Sequence, residues 1–119
     1  MVDSLQMLEV AVKAADLKRA EDILAYDVSK MTPLADYYMI CHGNSGRQVE
    51  AITNEIIDQV ESIGGVLRQL EGKSKGSWML IDFGDLVVHV FTEEDREFYQ
   101  VEKLWLDGDI VDIDQWVDE

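Results

Sequence analysis

The residues Gly43-Asn44-Ser45-Gly46-Arg47 come nearest to a nucleophile held on a sharp turn. A nucleophile elbow needs glycine where Arg47 stands, so the pattern fails. The spacing supports a turn running into a helix capped by Ser45, with Arg47 and the helix N-terminus as an alternative contact for an anion or carboxylate. Gly72-Lys73-Ser74 imitates part of a phosphate loop. That loop needs a glycine five residues before its Gly-Lys pair and a helix after it. Leu67 stands at the glycine position, and a strand follows. Asp82-Phe83-Gly84 matches a kinase tripeptide, but the chain of 119 residues is too short for a kinase. It reads better as a strand entering a turn.

Cys41, His42 and His89 are the only cysteine and histidines. No short ligand spacing joins them, so no metal is expected. Cys41 and His42 are neighbours and should point to opposite faces of a strand. His89 lies inside an apolar run and reads as a hydrogen-bonded structural residue. Asp107, Asp109, Asp112 and Asp114 do not make a calcium loop, because Val111 takes the fifth position and the sixth-position glycine is missing. No catalytic constellation emerges, and no cofactor is called for. The chain reads as a binding module.

The elements that must position these residues follow from periodicity and punctuation. Asp3 and Ser4 offer caps to a helix running from about Ser4 to Arg19, with Leu5, Leu8, Val12 and Ala15 recurring along it. Ile23 to Val28 alternates like a short strand, and Asp36 to His42 is a second strand ending at Gly43. Ser45 with Gln48 forms a capping-box pattern, and Val49, Ile52, Ile56, Val60 and Ile63 make one helical stripe that Gly64-Gly65 stops. Val66 to Leu70 can be a third strand, followed by a flexible basic loop from Gly72 to Ser77. Trp78–Phe83 and Leu86–Phe91 are apolar runs separated by Gly84-Asp85, which predicts a tight hairpin. Thr92 starts a last helix whose face carries Phe98, Val101 and Trp105.

The order α-β-β-α-β-β-β-α gives an α/β (α+β mixed) fold. A mixed sheet of about five strands is expected, with helices packed on it. The strand–helix–strand step from Tyr37 to Leu70 favours a parallel pair. One domain over residues 1–105 is expected, followed by an acidic tail over 106–119. That tail carries six acids and no base. Its Ile110, Val111, Ile113, Trp116 and Val117 are interspersed, so it is either at least partly disordered or docks an apolar side, with disorder the favoured reading.

Charge narrows the partners. Ten basic residues against 25 acidic ones leave a net charge of −15. Direct binding to DNA or RNA is not expected, because phosphate affinity comes from Lys and Arg displacing counterions. An acidic surface suits a basic protein partner, or it simply keeps the protein soluble. No run is apolar enough for a membrane span, and no secretory signal is visible. The lone cysteine suits a reducing compartment, so a cytoplasmic location is expected. Alternation puts Trp78, Leu80 and Asp82 on one strand face and Met79, Ile81 and Phe83 on the other. Both faces are largely apolar, so the strand is either covered on both sides or offers Trp78 as an interface anchor.

Taken together, these segments resemble a known family. Asp36-Tyr37, Ile40-Cys41 and Gly43-x-Ser45-x-Arg47-Gln48 resemble the first signature of the ribosomal silencing factor, or Iojap-like, family. Trp78-x-Leu80-Ile81-Asp82-Phe83-Gly84-Asp85-x-Val87-Val88-His89-Val90-Phe91 resembles the second. Arg96-x-Phe98-Tyr99-x-x-Glu102-x-Leu104-Trp105 completes it in the expected order. The resemblance implies a nucleotidyltransferase-like fold without its paired catalytic carboxylates, and no enzymatic activity. It implies binding to the large ribosomal subunit through that subunit's fourteenth protein, which blocks joining of the small subunit and represses translation. It also implies a role in large-subunit maturation. The implied contact residues are Trp78 and Leu80 as apolar anchor, with Asp82, Asp85 and Tyr99. His89 and Arg96, with Ser45 and Arg47, are expected to support the site's shape.

Two alternatives to that reading stay open. One is a small nucleotide-binding or nucleotidyltransferase-like enzyme whose Gly43, Ser45 and Arg47 hold phosphates. Another is an adaptor for a different basic partner. An exposed apolar docking face can also pair with itself, so a homodimer of the free protein is a further expectation. The family occurs in bacteria and organelles, and the lack of an Arg-rich leader argues for a bacterial cytoplasm or a chain trimmed of its leader.

Overall fold

Asp3 opens the first helix, α1 (Ser4–Leu17), with a complete capping box. Its carboxylate accepts from the Gln6 N–H at 2.8 Å, and the Gln6 side chain accepts from the Asp3 N–H at 3.0 Å. Together they satisfy N–H groups that a helix start leaves without intrahelical partners. The second helix, α2 (Gly46–Ser62), is capped by Ser45, whose hydroxyl accepts from the Gln48 N–H. The Gln48 side chain does not close a box on Ser45. Its Oε1 accepts from the Asn44 N–H, and its Nε2 donates to the carbonyls of Lys18 and Arg19 beyond α1. One glutamine thus ties the end of the first helix to the start of the second.

The structure is a computed structural model that describes residues 2–72, 77–105 and 107–117. The strands are β1 (Glu21–Asp27), β2 (Tyr37–Gly43), β3 (Gln69–Gly72), β4 (Trp78–Asp82), β5 (Leu86–Thr92) and β6 (Asp109–Ile110). They form one mixed sheet in the order β3-β4-β5-β2-β1-β6. Among the described residues only β2 and β5 run parallel, and the remaining pairs are antiparallel. A third helix, α3 (Glu93–Tyr99), and a 3₁₀ turn over Val101–Trp105 follow β5.

Helices α1 and α2 cover one face of the sheet. Leu8, Val12, Ile52, Ile56 and Val60 meet Met39, Cys41, Ile81, Val88 and Val90 there, all of them buried. The other face carries a second, aromatic-rich cluster of Tyr26, Ile40, Phe91 and Trp105, with Tyr38, Trp78 and Val101 packed against it. The two-faced apolar character of β4 and β5 comes from this arrangement, since each strand sends residues to both clusters, although Trp78 and Leu80 on β4 remain half-buried.

The mixed α/β class stands, with differences of detail. The sheet has six strands rather than five, because Asp109 and Ile110 of the tail pair with Asp27 and Tyr26. Ile113 is buried in the main core, and Val111, Trp116 and Val117 pack against that core, so these apolar residues of the tail dock while Ile110 stays exposed. The parallel partner of β2 is β5, not the strand after α2. The slot beside β2 is buried on both faces, which suits the Leu86-Val87-Val88-His89-Val90-Phe91 run. β3 is short and exposed along its length, fit only for the edge. It also starts later than the sequence suggests, at Gln69, because Val66 to Arg68 carry the chain from α2 to that edge. The last helix is broken at Gln100, whose backbone is left-handed with φ 47°. That break turns Phe98 outward to 78% exposure while Val101 and Trp105 pack inward, so the three do not share one helix face. The basic stretch 73–76, read as a loop, lies outside the described residues.

Candidate functional site

Trp78 opens β4 directly opposite Phe91 on β5. Its ring centroid lies 4.8 Å from that of Phe91 and 4.7 Å from that of Tyr99 on α3. Such separations are those of favourable offset aromatic pairs. The indole Nε1–H donates to Nδ1 of His89 at 3.1 Å. His89 sits opposite Leu80, two residues along the ladder from Phe91, which puts the imidazole diagonal to the indole. Burial lowers the His89 pKa from 6.5 to about 4. The ring is therefore neutral at physiological pH, and with Nδ1 accepting, its proton sits on Nε2.

Leu80 follows Trp78 on the same face, and the two line a shallow depression with Glu71 and Gly72. Beyond Tyr99, Phe98 stands edge-on at 4.9 Å. The result is an apolar, mainly aromatic shelf at the open side of the sheet. It runs from the half-buried Trp78 to the exposed Phe98. Sequence reasoning put Phe98 on one helix face with Val101 and Trp105 and did not single out Glu71 at all.

The two predicted acids lie elsewhere. Asp82 is four residues along β4 from Trp78, about 13 Å at the rise of a strand. One of its oxygens accepts from the Gly84 N–H at 2.7 Å, closing the hairpin in which Gly84 has φ 89°. Asp85 exposes its side chain at the hairpin tip, and its carbonyl accepts from Asp36 and Tyr37 at 2.9 and 3.0 Å. Of the five expected contact residues, Trp78 and Tyr99 touch, Leu80 adjoins Trp78, and the acids flank the shelf at a distance.

Arg96 organises the other side of the shelf. Its side chain is 6% exposed. It donates from Nη1 to the Asp22 carbonyl at 2.7 Å and from Nε to Glu102 at 3.3 Å. Nη1 also lies 3.0 Å from His42 Nδ1. Arginine has no acceptor, so His42 must accept there and carry its proton on Nε2, which faces Glu21 and Glu93 at 3.6 and 3.8 Å. This cluster fastens α3 and the 3₁₀ turn to β1 and β2. The partners of Arg96 lie up to 74 residues away in sequence, so no local motif points to them.

Ser45 does its work as a helix cap, and Arg47 is exposed on the first turn of α2. Cys41 faces the helices while His42 faces Arg96, so the two cannot share a metal ion. Burial pushes the Cys41 thiol up to about 12, against a smaller opposing pull from Arg96. A thiol so placed is inert at neutral pH. The site is equipped to bind a surface through stacked rings, with carboxylates at its margins.

Comparison with known proteins bears on what that surface is. The sequence model of a family described as "Ribosomal silencing factor during starvation" matches residues 2–119. The chain is 48% identical over 108 residues to a protein of Bacillus subtilis named ribosomal silencing factor RsfS, covering 91% of this chain and 92% of that one. It is 29% identical over 101 residues to a mouse protein named for mitochondrial assembly of the ribosomal large subunit, covering 82% of this chain and 44% of that protein. A crystal structure of a Chromobacterium violaceum protein superposes with a TM-score of 0.84 at 33% identity, covering 87% of each chain.

Proposed function

The chain belongs to the ribosomal silencing factor family, and from that premise we propose that it docks on the large ribosomal subunit through that subunit's fourteenth protein and so keeps the small subunit from joining. The family and its relatives support a silencing or assembly role in ribosome function, and the names of the matched proteins state no catalytic reaction.

The observation that carries the proposal is the aromatic shelf. The rings of Trp78 and Tyr99 are in contact at a 43° tilt, and Leu80 adjoins Trp78 on a sheet face that neither α1 nor α2 covers. Tryptophan and tyrosine are the residues most often found as interface anchors. The net charge of −15 favours a basic protein over bare RNA as the surface met. Glu71 is exposed opposite Leu80 and Asp85 at the hairpin beyond Asp82, each placed to meet lysine or arginine at the rim.

The mechanism is exclusion. The molecule measures 33 × 31 × 30 Å, and a standard interface takes roughly 800 Å² from each partner. One face of such a body supplies that area, and its thickness then stands between the subunits. No bond is made or broken. The name of the mouse relative favours a second reading, in which the same contact serves maturation of the large subunit. A free molecule would cover the same apolar shelf by pairing with a second copy.

The test is Trp78→Ala. The variant should keep the circular dichroism of the wild type and fail to sediment with purified large subunits. Truncating a central interface anchor costs at least about 2 kcal/mol, a loss of roughly thirtyfold in affinity. Wild-type sedimentation by a folded Trp78→Ala would remove the shelf from the docking surface.

A further inference from the structure

We propose that His89 is a positioning residue for this docking surface: its Nδ1 accepts the Trp78 indole N–H and selects the one ring orientation that the partner meets. The proposal rests on the reading that Trp78 belongs to the docking surface.

Stacking alone leaves Trp78 underdetermined. Phe91 and Tyr99 set the tilt of the ring at 30° and 43°. The torsion beyond Cβ is broad and roughly two-fold for an aromatic side chain. Turning the indole over about that bond buries a similar area and carries the N–H to the opposite edge. Ring contacts therefore discriminate poorly between the two poses. A hydrogen bond discriminates sharply, because only one pose brings Nε1 to 3.1 Å from Nδ1.

The choice of histidine follows from its surroundings. The position lies between Val88 and Val90 in a strand that is otherwise apolar. An unpaired polar group there would be costly, so the residue has to be bonded. It must also be flat. The imidazole stacks on Phe91 with a 7° interplanar angle and a centroid distance of 6.0 Å, and it lies 5.3 Å from Trp105. A side chain that is planar and also an acceptor fits, and burial keeps it neutral, hence an acceptor, at physiological pH. His89 reaches Trp105 on the same side, so it couples the anchor indole to the aromatic packing beneath the shelf.

The experiment uses ¹⁵N-labelled full-length protein. Its three tryptophans give three indole N–H signals, and loss of one in Trp78→Phe assigns the Trp78 signal. His89→Leu removes the acceptor, whereas His89→Asn keeps an oxygen close to the Nδ1 position. Affinity for purified large subunits is read in parallel by fluorescence anisotropy. In His89→Leu the Trp78 indole proton should exchange faster and shift towards the value of an exposed indole. Affinity should fall about three- to tenfold, the worth of one neutral hydrogen bond. His89→Asn should restore the indole signal and bring affinity to within about twofold of wild type.

An unchanged Trp78 indole signal in His89→Leu overturns the proposal. So does a lost hydrogen bond with unchanged affinity, or an Asn variant no better than the Leu variant in both readouts. If His89→Leu fails to fold, His89→Gln replaces it, since the longer amide cannot place its oxygen at Nδ1. Failure of the wild type itself to bind large subunits refutes the docking reading, while the indole signal still reports whether His89 holds the ring.

Discussion

Replacing Arg96 by methionine should destabilise the protein by about 3 kcal/mol. The figure is assembled from what the guanidinium leaves behind, since methionine keeps most of the apolar stem. The Asp22 carbonyl and His42 Nδ1 each lose a donor, at 2.7 and 3.0 Å. Each such loss costs about 1 kcal/mol. The Glu102 carboxylate loses its cation at 3.3 Å, with its side chain 25% exposed. Breaking a fully buried pair costs about 3–5 kcal/mol, and partial exposure brings this to roughly 1–2. The Asp22 carboxylate is 66% exposed and adds nothing to the count. Small domains have about 5–15 kcal/mol of stability, so the variant should still fold. Urea denaturation at neutral pH, fitted with a common slope, reads the difference directly. Arg96→Lys should recover little, because one ammonium cannot reach Asp22, His42 and Glu102 together. A loss below 1 kcal/mol in Arg96→Met, or full rescue by lysine, would refute this account of the cluster.

Three further outcomes follow from other sites. The buried Thr53 hydroxyl has no hydrogen-bond partner among the described residues, so Thr53→Val should raise stability by about 0.5–1.5 kcal/mol, and a lower urea midpoint would contradict it. Gly84 holds φ 89° and an added Cβ would lie 2.8 Å from the Arg68 side chain. Gly84→Ala should cost about 1–2 kcal/mol in the same assay, and a neutral result would show that the hairpin can change turn type. Burial raises the Cys41 pKa from 9.0 to about 12. The folded thiol therefore keeps its proton where the unfolded one has lost it. That contribution is complete below pH 9 and drains away as pH rises towards 12. Between pH 9 and 10 the wild type should lose up to about 1.4 kcal/mol more than Cys41→Ala, and parallel pH profiles would disprove it.

What could be read from the sequence was what is local. The stripes of α1 and α2, the caps at Asp3 and Ser45 and the Gly84 hairpin depend on neighbours a few residues apart, and they are present except that Leu5 and Ile63, at one end of each stripe, stay exposed. The opposite faces of Trp78 and Met79 also follow from local alternation. Strand order was not legible in the same way. The place beside β2 is contested by β3 and β5, and the winner is set by burial on both faces, a property of the finished sheet. The sixth strand was hidden because a two-residue ladder carries almost no periodic signal. The left-handed Gln100 was hidden too, and it separates α3, which carries the exposed Phe98, from the turn that carries Val101 and Trp105. For the site, alternation put Trp78 and Leu80 on one face, Tyr99 came only from the family resemblance, and the geometry groups the three. The acids were read as part of the same patch because strand alternation reports a face, not a distance. The His42–Arg96 contact spans 54 positions and leaves no trace in spacing.

Subunit joining with purified components tests the central claim most directly. Large subunits are mixed with the protein, small subunits and magnesium are added, and the products are separated on a sucrose gradient. The account predicts that joined ribosomes fall as the protein is titrated, that the protein travels with the large subunit, and that Trp78→Ala abolishes both effects. Undiminished joining, with the protein left at the top of the gradient, would contradict it.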